Sequence, residues 1–285
     1  MQDSFITKII VDKRVFYVKR DDLIDPYLAG NKYRKLYTLI NTPKANLKQI
    51  ISYGGTQSNA MLAIAALCKE KNWKFVYYTK QISEQLKQET KGNYALALSF
   101  GMQHKEIDHG MYKDFIANIR CNYDANSLII DQGGANSLAK EGLEVLACEI
   151  RNDKSNIYSL ATPSGTGTTA LYLALALPEY KIYTTPCVGD VEYLKAQIKA
   201  LVKEIPQNLV ILKPKRKYHF AKPYPEFYGM YKKLLKTGVE FDLLYAPAMW
   251  EALLDQTDEE VMYIHSGGVS GNSSMLQRYE KTKKT

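Results

Sequence analysis

Long apolar runs are missing from this chain. The longest, Ala60 to Leu67 and Ala170 to Leu177, make about two helical turns each. A membrane span needs ~18 residues, so no membrane partner is expected. No basic-then-apolar signal segment opens the sequence, because charged residues follow Met1-Gln-Asp-Ser within a dozen positions, and a cytoplasmic location is expected. Cysteine is scarce: the 4 present, Cys68, Cys121, Cys148 and Cys187, lie far apart with no Cys-x-x-Cys, which argues against a disulfide scaffold or a metal site. Cys68 and Cys148 fall in helix-like apolar patterns and read as small core residues. Histidine is equally sparse; His104, His109 and His219 offer no metal-ligand spacing with a third acid, and no metal is expected. Arginine is a minority of the 38 basic residues, although the net charge is +8. Bidentate phosphate and base readout favours arginine, so no nucleic-acid partner is expected. The cluster Lys213-Pro-Lys-Arg-Lys217 and the lysines from Lys281 onward read as solvated surface. The 17 Gly and 10 Pro are scattered, which excludes collagen-like and mucin-like classes.

What is present is a globular composition, 46% apolar and 24% charged over 285 residues, enough for one large or two smaller domains. Apolar patterning predicts strands at Ile9–Val11, Val15–Val18, Gln49–Tyr53, Lys74–Tyr78, Met102–Glu106, Ser127–Ile130, Ile157–Ala161, Lys181–Thr185, Leu209–Leu212, Asp242–Tyr245 and Val261–Ile264. Helical spacing predicts helices over Asn31–Ile40, Ser58–Lys71, Lys91–Phe100, Lys113–Cys121, Leu138–Ile150, a segment ending at Leu177, Asp190–Lys203, Pro225–Leu235 and Met249–Leu254. Alternation of this kind means an α/β fold with mostly parallel sheets covered by helices, and two lobes are expected.

Ligands of such folds gather where strand ends meet helix starts. One turn, Gly54-Gly-Thr-Gln-Ser-Asn59, places Gln57, Ser58 and Asn59 at a helix N-terminus, which suits a carboxylate or phosphate or, equally, an ordinary capped turn. A second, Ser164-Gly-Thr-Gly-Thr-Thr169, is a glycine-threonine nest opening an apolar helix. It lacks the Gly-Lys of a Walker loop. It fits a dinucleotide fingerprint in its glycines, but the following strand ends Thr184-Thr-Pro186 with no acid for a ribose, so a cofactor with one phosphate fits better. In a third, Gly30-Asn-Lys-Tyr-Arg-Lys35, Lys32 stands at a helix start, where the helix end and other cations would lower its pKa and free its amine as a nucleophile. Local sequence alone also fits a surface lysine. The fourth, His265-Ser-Gly-Gly268, follows the last strand and could contact a ring or a carboxylate or, equally, simply turn. One cofactor unites a lysine, a phosphate cradle, a ring partner and a carboxylate cradle: pyridoxal phosphate.

With these residues in view, the sequence resembles pyridoxal-phosphate enzymes of tryptophan-synthase-β-like fold, and within them the aminocyclopropane-carboxylate deaminase and D-cysteine desulfhydrase family. The carrying segments are Val18-Lys-Arg-Asp-Asp22, Gly30-Asn-Lys-Tyr-Arg-Lys-Leu36, Gly54 to Asn59, Ser164 to Thr168, Asp242-Leu-Leu-Tyr245 and His265 to Gly268, in the family order. The resemblance implies that Lys32 is the Schiff-base lysine and that Asn59 faces the cofactor ring hydroxyl. It implies that Ser58 lies beside the substrate carboxylate with Gln57 and Asn59, and that Tyr245 lies near the substrate. Ser164, Gly165, Thr166, Gly167 and Thr168 would form the phosphate loop. It further implies a large cofactor domain of residues 1–45 and 151–285, a small inserted domain of residues 46–150, and a homodimer. The sequence departs from the family where Tyr-x-Gly-Lys becomes Tyr245-Ala-Pro-Ala248. The deaminase carries Glu after that tyrosine and Leu in His-x-Gly-Gly, and desulfhydrases usually carry Ser or Thr at both. Here they are Ala246 and Ser266; Ala246 offers no partner to the pyridine nitrogen, so the cofactor ring is expected to meet Ser266 there or another residue that the motifs do not identify.

The expected activity is therefore a pyridoxal-phosphate lyase on a small amino acid, with β-elimination of D-cysteine first and cyclopropane-carboxylate deamination second. Lys32, Ser58 and Tyr245 are its expected catalytic residues. Another elimination or a racemisation on the same scaffold, a catalytically altered pyridoxal-phosphate-binding homologue, a dinucleotide oxidoreductase and a basic binding protein are the remaining alternatives.

Overall fold

A computed structural model describes residues 4–28, 30–88, 90–123, 126–134 and 138–282. The end of the lysine-rich tail, residues 283–285, lies outside them, as does the opening residues 1–3. The chain begins with strands β1 (Ile6–Val11) and β2 (Arg14–Lys19), paired antiparallel so that Val11 faces Arg14. The two-residue turn between them needs positive φ at both centres, and Asp12 and Lys13 adopt φ 50° and 65°. Helices α1 (Asn31–Lys35) and α2 (Tyr37–Asn41) follow. Next come β3 (Gln49–Tyr53), α3 (Asn59–Lys71), β4 (Lys74–Lys80), α4 (Glu84–Lys87), α5 (Asn93–Ser99), β5 (Gln103–Ile107), α6 (Tyr112–Ala117), β6 (Ser127–Ile130) and α7 (Ala139–Arg151). The remainder is β7 (Ser159–Ala161), α8 (Thr168–Ala176), β8 (Lys181–Thr184), α9 (Val191–Lys199), β9 (Leu209–Ile211), α10 (Pro225–Leu235), α11 (Ala246–Gln256), β10 (Val261–Ile264) and α12 (Asn272–Thr282).

Two sheets result. One has the order β1-β2-β10-β7-β8-β9 and is parallel except for its β1-β2 edge; the other, β5-β4-β3-β6, is wholly parallel. Parallel strands buried on both faces should be apolar throughout, and β10 (Val261, Met262, Tyr263, Ile264) is buried at every position. Apolar clusters form on both faces of the six-stranded sheet, one around Leu146, Leu171 and Ile182, the other around Phe16, Trp250 and Tyr263. The amphipathic helix α7 presents Leu143, Leu146 and Ile150 to the first of these. Burial of side chains this size contributes about 1.5–3 kcal/mol each.

Each sheet reverses its strand order once. In the larger sheet the chain steps outward from β7 to β8 and β9, then returns to the other side of β7 as β10; in the smaller, β4 and β5 lie on one side of β3 and β6 on the other. Such reversals open a crevice at the carboxyl ends of the diverging strands. Those ends are the segments after β7, β10, β3 and β6, and all of them line one cavity.

Several expected elements differ. Asp242–Tyr245 is not a strand, because side chains occupy its backbone donors: Leu244 and Tyr245 N–H donate to Asp242 Oδ1 (3.0 and 2.6 Å), and Leu243 N–H donates to Asn272 Oδ1 (2.8 Å). The expected Asn31–Ile40 helix is broken at Leu36 (φ −97°, ψ 7°), where α7 crosses so closely that a Cβ on Gly142 would lie 1.9 Å from the Arg34 carbonyl oxygen. Lys113–Cys121 is α-helical only from Tyr112 to Ala117 and then tightens to a 3-10 turn. Cys148 is exposed rather than in the core, because it sits on the solvent side of α7; Cys68 is buried.

Candidate active site

The turn after β3 is shaped by Gly54, whose φ is +145°; a Cβ there would lie 2.7 Å from the Tyr77 hydroxyl. Ser58 then caps α3, its Oγ accepting from Met61 N–H at 3.2 Å. The residues beside it are held from outside the turn. Asn93 Nδ2 donates to Gln57 O (3.2 Å) and to Asn59 Oδ1 (2.7 Å), and Ser274 Oγ on α12 donates to Gln57 Oε1 (2.9 Å). A Cβ on Gly268 would fall 2.3 Å from Asn59 Nδ2, so the loop after β10 presses directly on that amide. Gln57, Ser58 and Asn59 are thus rigid, and they stand at the positive end of a 13-residue helix.

The turn after β7 is built the same way. Ser164 Oγ is engaged inside the fold, hydrogen-bonded to Thr184 Oγ1 at 2.6 Å, so it shapes the loop while its backbone lines the cavity. Gly167 caps α8 with φ +76°, and a Cβ there would strike Ile198 at 2.6 Å. Thr166 and Thr168 join their hydroxyls at 2.9 Å. The first N–H groups of α8 have no helical acceptor and converge on the cavity with these hydroxyls, a cradle for an anion.

Helix α1 turns its two faces to different work. Arg34 points away from the cavity into a buried ion cluster: its guanidinium meets Asp21 (2.8 and 2.9 Å) and Glu149 of α7 (2.6 and 2.8 Å), and Lys19 Nζ meets Glu149 at 2.7 Å. Lys32 and Lys35, three residues apart and therefore on one face, both line the cavity. Lys32 Nζ donates to Asn31 Oδ1 at 2.8 Å. Burial lowers its pKa to about 8, with the Asp242 carboxylate opposing. The cause is not the helix end that the sequence suggested, since α1 has only 5 residues. Lys35 Nζ donates to Gly133 O at 3.1 Å, and burial, then repulsion from Lys32, carries its pKa well below the ordinary value. Lys35 was not legible as a site residue, because its burial depends on α7 and the turn after β6 closing over α1. Asp242 is pushed up to about 6 by burial, against the backbone N–H groups it accepts.

The remaining wall comes from residues 245 and 265–268. Tyr245 lies against Gly165, its Cε1 3.5 Å from where a Cβ would be, and its ring meets Phe220 at 5.3 Å between centroids. Burial raises its phenol pKa, so it remains protonated. Gly30 (φ +60°) lets α1 start against Ser266, whose carbonyl would lie 2.1 Å from a Cβ. His265 is structural: Nε2 bonds Glu240 O at 2.8 Å, Nδ1 accepts from Gly267 N–H at 3.1 Å, and burial lowers its pKa. Ala246 is buried in α11 and offers nothing to a ligand. His104 bonds Thr79 and Tyr94, away from the cavity.

These parts enclose a cavity of about 310 Å³ that Lys32, Lys35, Gln57, Ser58, Asn59, the 164–168 loop, Tyr245 and Ser266 all line. The sequence-expected residues are therefore brought together. Pyridoxal phosphate fits this lining. Ser266 Oγ is buried with no hydrogen-bond partner among the described residues, as a hydroxyl awaiting a ring nitrogen would be. The α8 cradle and Lys35 suit a phosphate, and Lys32 supplies the amine.

No family model matches the chain. It is 25% identical to a Thermotoga maritima protein carrying the provisional name 1-aminocyclopropane-1-carboxylate deaminase, across 92% of this chain and 91% of that protein. It is 25% identical to the D-cysteine desulfhydrase of Serratia proteamaculans, across 90% of this chain and 87% of the relative. Among solved structures, an ACC deaminase homologue matches with a TM-score of 0.78 at 21% identity, covering 98% of this chain and 94% of that one. A fungal L-serine ammonia-lyase from Rhizomucor miehei matches with a TM-score of 0.69 at 11% identity, covering 98% of both chains. These structural matches establish a shared fold.

Proposed function

We infer that this chain, which belongs to the pyridoxal-phosphate-dependent family of aminocyclopropane-carboxylate deaminases and D-cysteine desulfhydrases, is a lyase acting on a small amino acid by β-elimination. The reaction favoured is D-cysteine plus water giving pyruvate, ammonia and hydrogen sulfide. The observation that carries it is the amine of Lys32, buried with a pKa of about 8 between two separate anion cradles in one cavity.

When bound, pyridoxal phosphate supplies an electron sink for the pair left at Cα. The rest falls to the protein. The 164–168 loop, the α8 N-terminus and Lys35 would hold the phosphate. Ser266 Oγ would face the ring nitrogen and Asn59 the ring hydroxyl. Gln57, Ser58 and Asn59 would grip the substrate carboxylate and so fix which Cα bond stands across the ring. Lys32 Nζ, near neutrality in its pKa, is the base that takes the α-proton. Tyr245, kept protonated by burial, would donate to the departing sulfur.

Ser266 favours desulfhydration over ring opening. A neutral hydroxyl leaves the ring nitrogen unprotonated, whereas opening a cyclopropane calls for the stronger withdrawal that a carboxylate at that position would sustain. Among the described residues no Asp or Glu lines the cavity. We propose a cofactor domain at residues 1–45 and 151–285 with residues 46–150 inserted, save that α7 packs its apolar face on the six-stranded sheet and so goes with the cofactor domain, and we propose a cytoplasmic homodimer.

The test is release of pyruvate and sulfide from D-cysteine by the cofactor-loaded protein, beside L-cysteine and aminocyclopropane carboxylate. D-cysteine should be turned over and the cyclopropane should not. Deamination of the cyclopropane at a comparable rate would reverse the order, and no product from any of the three would mark a catalytically altered homologue.

A further inference from the structure

Three cationic side chains line the cavity, Lys32, Lys35 and Arg278, and no carboxylate does among the described residues. Two of them have places in the proposed reaction. Arg278 does not. It lies on α12 one turn beyond Ser274, on the same face, and Ser274 is the residue that fixes Gln57 in the carboxylate corner. Its Nη1 donates to the Ala221 carbonyl at 3.0 Å, next to Phe220, whose ring packs on Tyr245. Arg278 thereby ties the helix that braces the carboxylate corner to the loop that packs on the Tyr245 phenol, and it lines the same cavity. A guanidinium carries five N–H donors, and this one has no acidic partner among the described residues. An arginine held in place at a cavity wall, with free donors, is suited to bidentate capture of a carboxylate.

We propose that Arg278 is a specificity-determining residue that recognises a second negative charge at the far end of the substrate's β-substituent. The preferred substrate class is then a β-substituted alanine whose leaving group ends in a carboxylate or comparable anion, and cysteine, which lacks that distal charge, undergoes the same elimination without the Arg278 contact. The step is the same elimination: the Cα proton passes to Lys32, the bond between Cβ and the heteroatom breaks with its electron pair on the leaving group, and Tyr245 protonates that group. Arg278 touches only the distal anion. The proposal rests on the β-elimination reading above.

The test compares S-carboxymethylcysteine with its carboxamide, S-carbamoylmethylcysteine, in both enantiomers. The two differ only in distal charge. With the loaded wild-type protein, kcat/KM for pyruvate release should favour the acid by about tenfold or more, the usual size of a charged hydrogen-bonded contact. In Arg278→Gln the ratio should fall near one, and Arg278→Lys should retain part of it. Thermal unfolding of the loaded protein gives a second readout, with the acid raising the midpoint more than the amide in wild type and not in Arg278→Gln. Equal treatment of acid and amide by a wild type that desulfhydrates D-cysteine overturns the role of Arg278 and leaves the elimination intact. Arg278-dependent stabilisation by the acid, in a protein that eliminates nothing, upholds Arg278 and overturns the elimination.

Discussion

At the scale of single residues, the chemistry centres on what burial does to Lys32. Its folded pKa of about 8 lies below the ordinary lysine value of 10.5. Between those values the unfolded chain binds more protons than the folded one, so stability rises with pH across that window. Urea unfolding of the cofactor-free protein should show the gain as the pH rises through 8, until about pH 9, where the buried thiols of Cys68 and Cys187 and then the buried tyrosines, all with raised folded pKa values, begin to oppose it. Lys32→Met should reduce that slope without abolishing it, because the buried Lys35, whose pKa is also lowered, contributes to the same window. The Asp242 carboxylate favours the charged form of that amine. Asp242→Asn keeps an oxygen for the Leu244 and Tyr245 N–H groups but removes the counter-charge. The acid limb of the kcat profile should then move down by roughly half to one pH unit; an unmoved limb would separate Asp242 from the base. Ser266→Ala removes a buried hydroxyl that lacks a partner, so the cofactor-free protein should be equal or more stable by ~1 kcal/mol while cofactor affinity falls.

At the scale of elements, α1 is a bracket between two chemistries. Its inner face carries Lys32 and Lys35, and its outer face is pinned by Arg34 to Asp21 and Glu149. Glu149→Gln leaves Lys19 and Arg34 buried with one carboxylate fewer, which should cost about 3–5 kcal/mol and loosen α1. Gly142→Ala acts on the same contact through sterics, since its Cβ would meet the Arg34 carbonyl at 1.9 Å. Both should lower the unfolding midpoint in denaturant.

Elements also show where patterning suffices. Gln49–Tyr53, Ser127–Ile130, Val261–Ile264 and Pro225–Leu235 form with the boundaries their apolar periods predict. Their neighbours in sequence settle them, through glycine turns or a proline at the helix start. Asp242–Tyr245 reads as a strand by apolarity alone, yet two side chains, one of them 30 residues on at Asn272, take its backbone donors. Helix α12 is polar and buries few apolar side chains, so periodicity does not announce it, although it braces Gln57 and carries Arg278. The motifs that open helices were legible because cap chemistry is local. Lys35 and Arg278 were not, because their places depend on distant elements.

At the scale of the whole molecule, two sheets turn their order reversals toward one cavity, and no single motif defines it. Walls from both sheets would be joined by one ligand, so pyridoxal phosphate should stabilise the fold in a concentration-dependent way by linkage. In the proposed reaction Lys32 carries that cofactor. The most direct measurement is the visible spectrum of the purified protein before and after borohydride, with peptide mass mapping of the trapped residue. A visible band that borohydride bleaches and a single adduct on Lys32 are expected. A protein that stays colourless and unmodified with added pyridoxal phosphate, or an adduct on another lysine, would contradict that role for Lys32.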